Sequence, residues 1–325
     1  MKKYKLLIIT LILLIPFNIF GYSSNIIPGG ENIGISINSD GLIVVGFYKV
    51  NNKYIASSSL KVGDAILKIE GNEVSSVSSL TTLIENNIKD NKVNATIRRN
   101  NKIMNIKLEL IYEDNVYKTG LYIKDRINGI GTLTYIDPIT KIFGALGHEI
   151  SFSETNERVE VKNGEIYSSY VNGIERSYNG TVGSKSATIH YNNKLGDIFK
   201  NSSSGIFGNY NSTLPNKGTL KVAEFNEIHI GKALAYTILS DNTIKSFNIY
   251  ITGTDKKNKN SSKAISFELT DEEVINITGG VVQGMSGSPV IQDNKIIGAI
   301  THVLTGNVKT GYCIYIGTML EEGER

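Results

Sequence analysis

A serine flanked by glycines is the residue in this chain best suited to covalent chemistry. It is Ser286, in the run GMSGSP over residues 284–289, and an alternating apolar segment follows it, which indicates a tight loop that leads into a β-hairpin. A serine nucleophile needs an exposed Oγ, a base, and backbone N–H groups aimed at the oxygen that becomes negative in the tetrahedral intermediate. A glycine at 284 leaves room for the N–H groups of Gly284 and Ser286 to converge on that oxygen. The same run is also typical of an ordinary glycine-rich turn.

The base for such a serine would be a histidine, because the imidazole pKa lies near working pH. The chain has four histidines. His148 is the best placed, since it ends the small, apolar run FGALGH, and His302 in AITHVL is the second candidate. His190 and His229 have no supporting context.

A carboxylate is needed to orient the base, and Asp271 in LTDEEVINITGG is the strongest candidate. The same residue, followed by two glutamates, is also typical of a helix N-cap. One carboxylate could not easily serve both roles. Asp137 and Asp125 are weaker candidates.

Composition limits the function classes. The chain has 325 residues, which is enough for two domains. Its net charge is +3 and its basic residues are scattered rather than clustered, so the sequence does not predict nucleic-acid binding. Frequent Ile, Val, Thr and Tyr predict a mostly β protein. The single cysteine, Cys313, excludes an intrachain disulfide and is predicted to be a buried strand residue. Neither a CxxC nor an HExxH cluster is present, so no metal site and no cofactor are predicted.

Residues 1–23 combine the basic start MKKYK with an apolar run, which indicates a signal peptide or an N-terminal membrane anchor. The run is shorter than the roughly 20 residues that span a bilayer comfortably, which favours a signal peptide. A clear cleavage site is lacking, so retention as an anchor stays open. Either way, we expect the chain beyond about residue 24 to be exported.

Residues 25–112 are predicted to form a compact module of strands and one helix. The run LKVGDAILKIEG over residues 60–71 and the order of elements resemble a PDZ domain. PDZ domains bind an extended peptide as an added strand. The resemblance places the peptide-binding loop at Ile33, Gly34 and Ile35, which depart from the usual Gly-Leu-Gly-Phe pattern, so binding of internal peptides or a docking role is an equal alternative to capture of a free C-terminus.

Residues 113–127 are predicted to be a linker, and residues 128–325 a second domain. In this second part, short β-prone runs alternate with Gly, Asn, Asp and Ser turns, a pattern typical of a barrel or sandwich.

The segment TDEEVINITGGVVQGMSGSPVIQDNKIIGAITHV, the string GALGH and the PDZ-like module together closely resemble the stage IV sporulation protein B family over essentially the whole chain. These are exported serine peptidases of endospore-forming bacteria, placed with the trypsin-like double β-barrel enzymes. The resemblance implies a triad of His148 as base, Asp271 as its orienting group and Ser286 as nucleophile, with Gly284 and Ser286 forming the oxyanion hole. The chain order His, Asp, Ser is that of trypsin-like enzymes.

The resemblance also implies a role. Such an enzyme would cross the forespore inner membrane and cleave a regulatory membrane protein in the space between the two membranes. That cut would release an intramembrane protease and activate a late mother-cell sigma factor. Autoproteolysis near the N-terminus, self-association through the PDZ-like domain and membrane contact through the N-terminal segment are further expectations.

Two other functions remain open at this stage. One is an envelope quality-control peptidase, although its usual domain order, protease before PDZ, is the reverse of this one. The other is a non-catalytic scaffold that binds through its PDZ-like domain.

The residues beside the serine predict two departures from trypsin-like enzymes. Met285 stands where those enzymes commonly have Asp, so activation by burial of a new amino terminus against that residue is not expected. Residues 279–283 carry no carboxylate, so selection of Lys or Arg by a buried acid at that site is not expected either.

Overall fold

The computed structural model describes residues 22–100, 102–152 and 158–325. The predicted signal segment therefore lies outside the described residues except for its last two positions. Within the described ranges, no helix is long and apolar enough to cross a membrane. The strands are β1 (Asn25–Pro28), β2 (Asn32–Phe47), β3 (Ala65–Ile69), β4 (Asn72–Glu73), β5 (Lys92–Arg99), β6 (Lys102–Glu109), β7 (Ile111–Glu113), β8 (Val116–Lys118), β9 (Leu121–Ile136), β10 (Ile142–Ala145), β11 (Val161–Glu175), β12 (Ser184–Ser202), β13 (Gly205–Tyr210), β14 (Leu220–Val222), β15 (Gly231–Ile238), β16 (Ile244–Thr254), β17 (Ile265–Leu269), β18 (Pro289–Gln292), β19 (Lys295–Leu304) and β20 (Asn307–Tyr315). The helices are α1 (Val77–Asn87), α2 (Glu272–Thr278) and α3 (Ile316–Gly323), with 3₁₀ turns at Ala56–Ser58 and Phe225–Glu227.

Strand pairing closes two antiparallel barrels of six strands each. The first barrel runs β2, β9, β10, β13, β12, β11 and returns to β2. The second runs β15, β16, β17, β20, β19, β18 and returns to β15. This double barrel is the trypsin-like architecture, so the predicted mostly β fold class is confirmed.

Each barrel fills its interior with alternate residues of its strands, because successive side chains of a strand point to opposite faces. In β16, for example, Phe247, Ile249 and Ile251 are buried, whereas the residues between them are exposed. Burying one such side chain stabilises the fold by about 1.5–3 kcal/mol. Cys313 is buried in β20 of the second barrel, as predicted.

The PDZ module and the first barrel share two long strands, β2 and β9. β2 and β9 pair twice: residues 32–38 with 126–132 inside the barrel, and residues 43–47 with 121–124 inside the PDZ module. The module has its own core, which includes Leu42, Leu60, Ile66, Leu80 and Ile84. The PDZ module is therefore inserted within the first barrel rather than placed before it.

This arrangement differs from the predicted organisation in two ways. The first half of β2 belongs to the peptidase barrel, although residues 25–112 were expected to be PDZ-like. The expected linker over residues 113–127 is folded: it holds the end of the β7–β8 hairpin and the start of β9. The first point depends on the pairing of β2 with β9 and β11, which lie far along the chain. The second depends on the β7–β8 hairpin and on the pairing of residues 121–124 with residues 43–47.

The prediction that Ile33, Gly34 and Ile35 form the peptide-binding loop of the PDZ module is wrong. All three lie in the barrel half of β2, where one edge pairs with β9 and the other with β11. Ile33 and Ile35 are buried. With both edges occupied, no N–H or C=O group remains to pair with an added strand.

Candidate active site

The loop that carries Ser286 lies between the two barrels and is bonded to both. Thr132 and Thr134 of β9, in the first barrel, reach across to it: Thr132 Oγ1 donates to Gly284 O and Thr134 Oγ1 donates to Gly287 O, each at 2.8 Å. Thr132 N also donates to Ser286 O at 3.0 Å. On the other side, Met285 is fully buried in the second core. The loop is therefore fixed from both sides.

The sequence pattern did not single out the two threonines. Both are fully buried polar residues, and in the run GTLTYI they alternate with apolar residues, a pattern that any amphipathic strand would show. Their function becomes visible only when the serine loop lies beside β9.

Two backbone N–H groups of the serine loop are available for an oxyanion. Among the hydrogen bonds of the described residues, neither Gly284 N nor Ser286 N is a donor, whereas Met285 N between them donates to Val282 O at 3.1 Å. The alternation leaves the first and third N–H groups free, which suits an oxyanion hole. This is the pair that the sequence predicts.

Ser286 itself is partly buried, and its Oγ donates to Thr301 O at 3.1 Å. It lines a cleft of about 490 Å³ between the barrels. His148 lines the same cleft from the first barrel, and His302 does so from the second. The structure thus brings the predicted nucleophile and the predicted base into one cavity.

His148 reaches the cleft through a sharp turn after β10. Leu146 and Gly147 both have positive φ, 68° and 73°. An added Cβ at Gly147 would lie only 2.7 Å from Thr301 Cγ2 of the second barrel, so glycine lets the two barrels meet there. The small residues of GALGH therefore allow the two barrels to approach each other closely, and this places His148 on the cleft opposite Ser286.

The His148 ring is oriented by a backbone carbonyl. Its Nδ1 lies 2.8 Å from Glu149 O. A carbonyl can only accept, so this hydrogen bond requires the proton on Nδ1 and leaves the lone pair on Nε2. Nε2 is then free to take the serine proton.

His302, the second candidate base, lies against His148 with ring centroids 5.6 Å apart. Burial, then the positive charges of His148 and Lys263, lower the pKa of His302 to about 4, while Glu149 acts in the opposite direction. His302 is therefore neutral at working pH, so it does not oppose a positive charge on His148. Its Nδ1 is buried and has no hydrogen-bond partner among the described residues.

Asp271 is not brought to His148. It caps helix α2: Oδ1 accepts from Val274 N at 3.2 Å, and Oδ2 accepts from Asn248 N at 3.0 Å and Asn248 Nδ2 at 3.2 Å. Partial burial would raise its pKa, but these hydrogen bonds outweigh burial and lower it. In the described part of the chain no contact joins this carboxylate to His148, so its expected orienting role is corrected to that of a helix cap.

The weaker carboxylate candidates also have structural partners. Asp137 is buried and accepts hydrogen bonds from Ser23 N and Ser23 Oγ at 2.6 and 2.7 Å. Asp125 accepts from Val77 N at 3.3 Å, at the start of helix α1. Among the described residues that line the cleft, Glu149 alone carries a carboxylate.

Comparison with solved structures gives distant matches. The Rv3671c protease of M. tuberculosis in its inactive form is 12% identical, with a TM-score of 0.35, and the match covers 60% of this chain and 84% of that one. An inactive serine-to-alanine mutant of Rv3671c from M. tuberculosis H37Rv is 11% identical, with a TM-score of 0.32, over 60% and 82% of the two chains. Human heparin binding protein is 10% identical, with a TM-score of 0.32, over 59% and 82%. No curated protein matches the chain at a significant level.

Family models match nearly the whole described chain. The PDZ domain model matches residues 32–110. The model of SpoIVB peptidase S55 matches residues 115–320, more than half of the chain, and this range includes His148, Asp271 and Ser286. The chain is a serine peptidase with a PDZ domain, and it belongs to the SpoIVB peptidase S55 family.

Proposed function

We propose that this peptidase uses Ser286 as its nucleophile and His148 as its general base. The observation that supports this most directly is that one cleft, between two barrels, holds both side chains next to two free N–H groups. In the reaction His148 Nε2 takes the Ser286 proton as Oγ attacks the scissile carbonyl, and the N–H groups of Gly284 and Ser286 receive the oxyanion. His148 then gives the proton to the leaving amine.

In this proposal a neutral group orients the base. The Glu149 carbonyl fixes the tautomer of His148 and accepts from the imidazolium that forms during attack. The half-buried His302 beside it is uncharged, so it does not repel that positive charge. The geometry therefore supports a dyad that a backbone carbonyl assists.

The biological substrate is proposed from the family. SpoIVB peptidases are named for sporulation, and a PDZ domain beside a peptidase implies a protein substrate. We infer that the protein is exported across the forespore inner membrane and cleaves a regulatory membrane protein between the two membranes, which leads to activation of a late mother-cell sigma factor. Self-cleavage near the N-terminus belongs to the same proposal.

The cleft wall supports a preference for apolar side chains. Val281, Val282 and Val303 line the cleft near Ser286, and residues 279–283 contribute no acid. We expect a peptide library to be cleaved beside aliphatic residues. A strict requirement for Lys or Arg would contradict this preference.

The deciding experiment is covalent labelling with a serine-directed phosphonate followed by mass-spectrometric mapping of the modified residue. Label on Ser286, absent after His148→Ala, supports the assignment. Label on another serine overturns it. Incubation of the purified protein and of Ser286→Ala with a candidate membrane regulator then tests the substrate separately.

A further inference from the structure

The segment that leads into the serine loop, residues 279–283, packs against the tip of the β11–β12 hairpin. Ser177 Oγ donates to Val281 O at 2.7 Å and accepts from Gly183 N at 2.8 Å. Gln283 N donates to Gly183 O at 2.8 Å, and Lys185 N donates to Gln283 O at 2.9 Å. The backbone just before Gly284 is therefore held by first-barrel residues.

One side chain of this support is unusual, because it is a buried lysine. Lys185 is 4% exposed, and its Nζ donates to Thr237 Oγ1 of β15 at 2.7 Å. Thr237 is fully buried. The methylenes of Lys185 lie directly under Gly284: an added Cβ there would be 3.1 Å from Cδ and 3.2 Å from Cβ and Cγ of the lysine.

We propose that Lys185 is a positioning residue that holds the N–H of Gly284 toward the cleft. Its stem fills the space beneath the Gly284 backbone, and its amine ties that stem to Thr237 of the second barrel. Gly284 has φ +94°, a conformation in which a side chain would be strained, so no side chain of its own can fill this space. The proposal rests on the oxyanion role of Gly284 that is part of the proposed function.

Among the residues that the structure describes, none supplies a counter-ion to the amine. The serine loop offers Gln283 and Gly284, β15 offers Thr237, and the β11 partner of Lys185 is Ile174, none of which carries a charge. Glu175, next to Ile174, is exposed and accepts from Ser184 Oγ at 3.3 Å. Burial alone lowers the pKa of Lys185 to about 7, so the amine is largely uncharged above that pH and charged below it. A protonated amine in this buried site should loosen the support, because burial disfavours its charge.

The test compares Lys185→Ala with Lys185→Met, measured as kcat and KM on a peptide substrate from pH 6 to pH 9. Removing one oxyanion donor costs about 10²–10³ in kcat, so a displaced donor in Lys185→Ala should lower kcat by about 10- to 100-fold and change KM little. Methionine keeps most of the stem, so Lys185→Met should restore kcat at pH 8 and lose less activity than the wild type at pH 6.

Thr237→Val, which leaves the amine without its partner, should lower kcat, and Lys185→Met with Thr237→Val should restore it.

Lys194→Ala is the matched control, because Lys194 lies on the same strand but is exposed and paired with Glu165. It should behave as the wild type does. Folded Lys185→Ala with unchanged kcat would overturn the positioning role, and so would a Lys185→Met variant as inactive as Ser286→Ala, since the amine itself would then be transferring protons. Ser286→Ala is run in parallel. If Ser286→Ala cleaved the peptide normally, the proposed function would be wrong. If only the Lys185 variants cleaved it normally, the positioning role would be wrong and the proposed function would still hold.

Discussion

The loop that carries Ser286 and helix α2, which Asp271 caps, are neighbours along the chain, yet they contact different parts of the molecule. The serine loop is bonded to threonines of the first barrel and opens into the cleft beside His148. Helix α2 instead uses Asp271 to hold its own first turn and Asn248 of β16. The difference teaches that a motif order of His, Asp and Ser does not guarantee three side chains in one site.

Ser286→Ala is the change expected to have the largest effect. Without the nucleophile, only oxyanion binding and substrate positioning remain, so kcat should fall by about 10⁴-fold or more. Cleavage of a fluorogenic peptide measures this. The neighbouring Ser288 is the control: its hydroxyl is buried without a hydrogen-bond partner among the described residues, so Ser288→Ala should keep most of the activity.

His148→Ala should be as damaging as Ser286→Ala, because nucleophile and base act as one unit. The double variant should therefore be no worse than either single variant. His302→Ala separates the two histidines in the cleft. An inactive His302→Ala together with an active His148→Ala would reverse the assignment of the base.

The sequence was sufficient for the parts of the site that are local. Glycines around Ser286 and small residues before His148 encode tight turns and a close approach, and both residues lie in the cleft as their motifs suggest. Asp271 is a local motif too, but a helix cap and a triad acid share the same surroundings of Thr, Asp and Glu. The structure distinguishes the two roles, because the Asp271 carboxylate accepts hydrogen bonds from Asn248, and the sequence does not reveal that contact.

Long-range pairing accounts for what the sequence could not predict. The alternating run around Ile33 and Ile35 fits a PDZ loop and a barrel strand equally well, and the choice depends on β9 and β11, far along the chain. Lys185 gives no signal at all, because lysine in a strand normally faces solvent. Its burial follows from the closure of the two barrels.

Lys185→Met should also raise the free energy of unfolding of the protein at neutral pH. The pKa of the amine is 10.5 in its ordinary state and about 7 when buried. Between these values the unfolded chain binds the extra proton, so folding stability falls as pH drops from about 10 to 7, by roughly 4–5 kcal/mol in total.

Removing the amine should therefore raise the free energy of unfolding at pH 7 by about 2–4 kcal/mol, after a loss for leaving Thr237 Oγ1 without its donor. Urea unfolding at pH 7 and pH 10 measures it, with Lys194→Met as the control. The gain should shrink at pH 10. A gain of equal size at both pH values would mean that the stem, not the charge, is responsible.

Asp271→Ala should have the smallest effect and tests the other side of the comparison. Loss of an N-cap costs about 1 kcal/mol, so the variant should unfold slightly more easily and keep cleavage within about threefold of the wild type. The pKa of Asp271 is lowered in the folded state, so the stability that it contributes is present at neutral pH and is lost as pH falls through that value. The difference in the free energy of unfolding between wild type and variant should therefore shrink in acid, to the part that a neutral side-chain oxygen still supplies.

Asp271→Asn distinguishes a cap from a catalytic acid. Asparagine caps helices about as well as aspartate, because its side-chain oxygen still accepts from Val274 N, so this variant should regain the lost stability. A triad acid replaced by asparagine loses about 10⁴ in kcat, because the base is then held in the wrong tautomer. If Asp271→Asn were stable but as inactive as His148→Ala, the carboxylate would have to leave the helix and reach the cleft during catalysis. Stable and active Asp271→Asn instead leaves the Glu149 carbonyl as the group that orients His148.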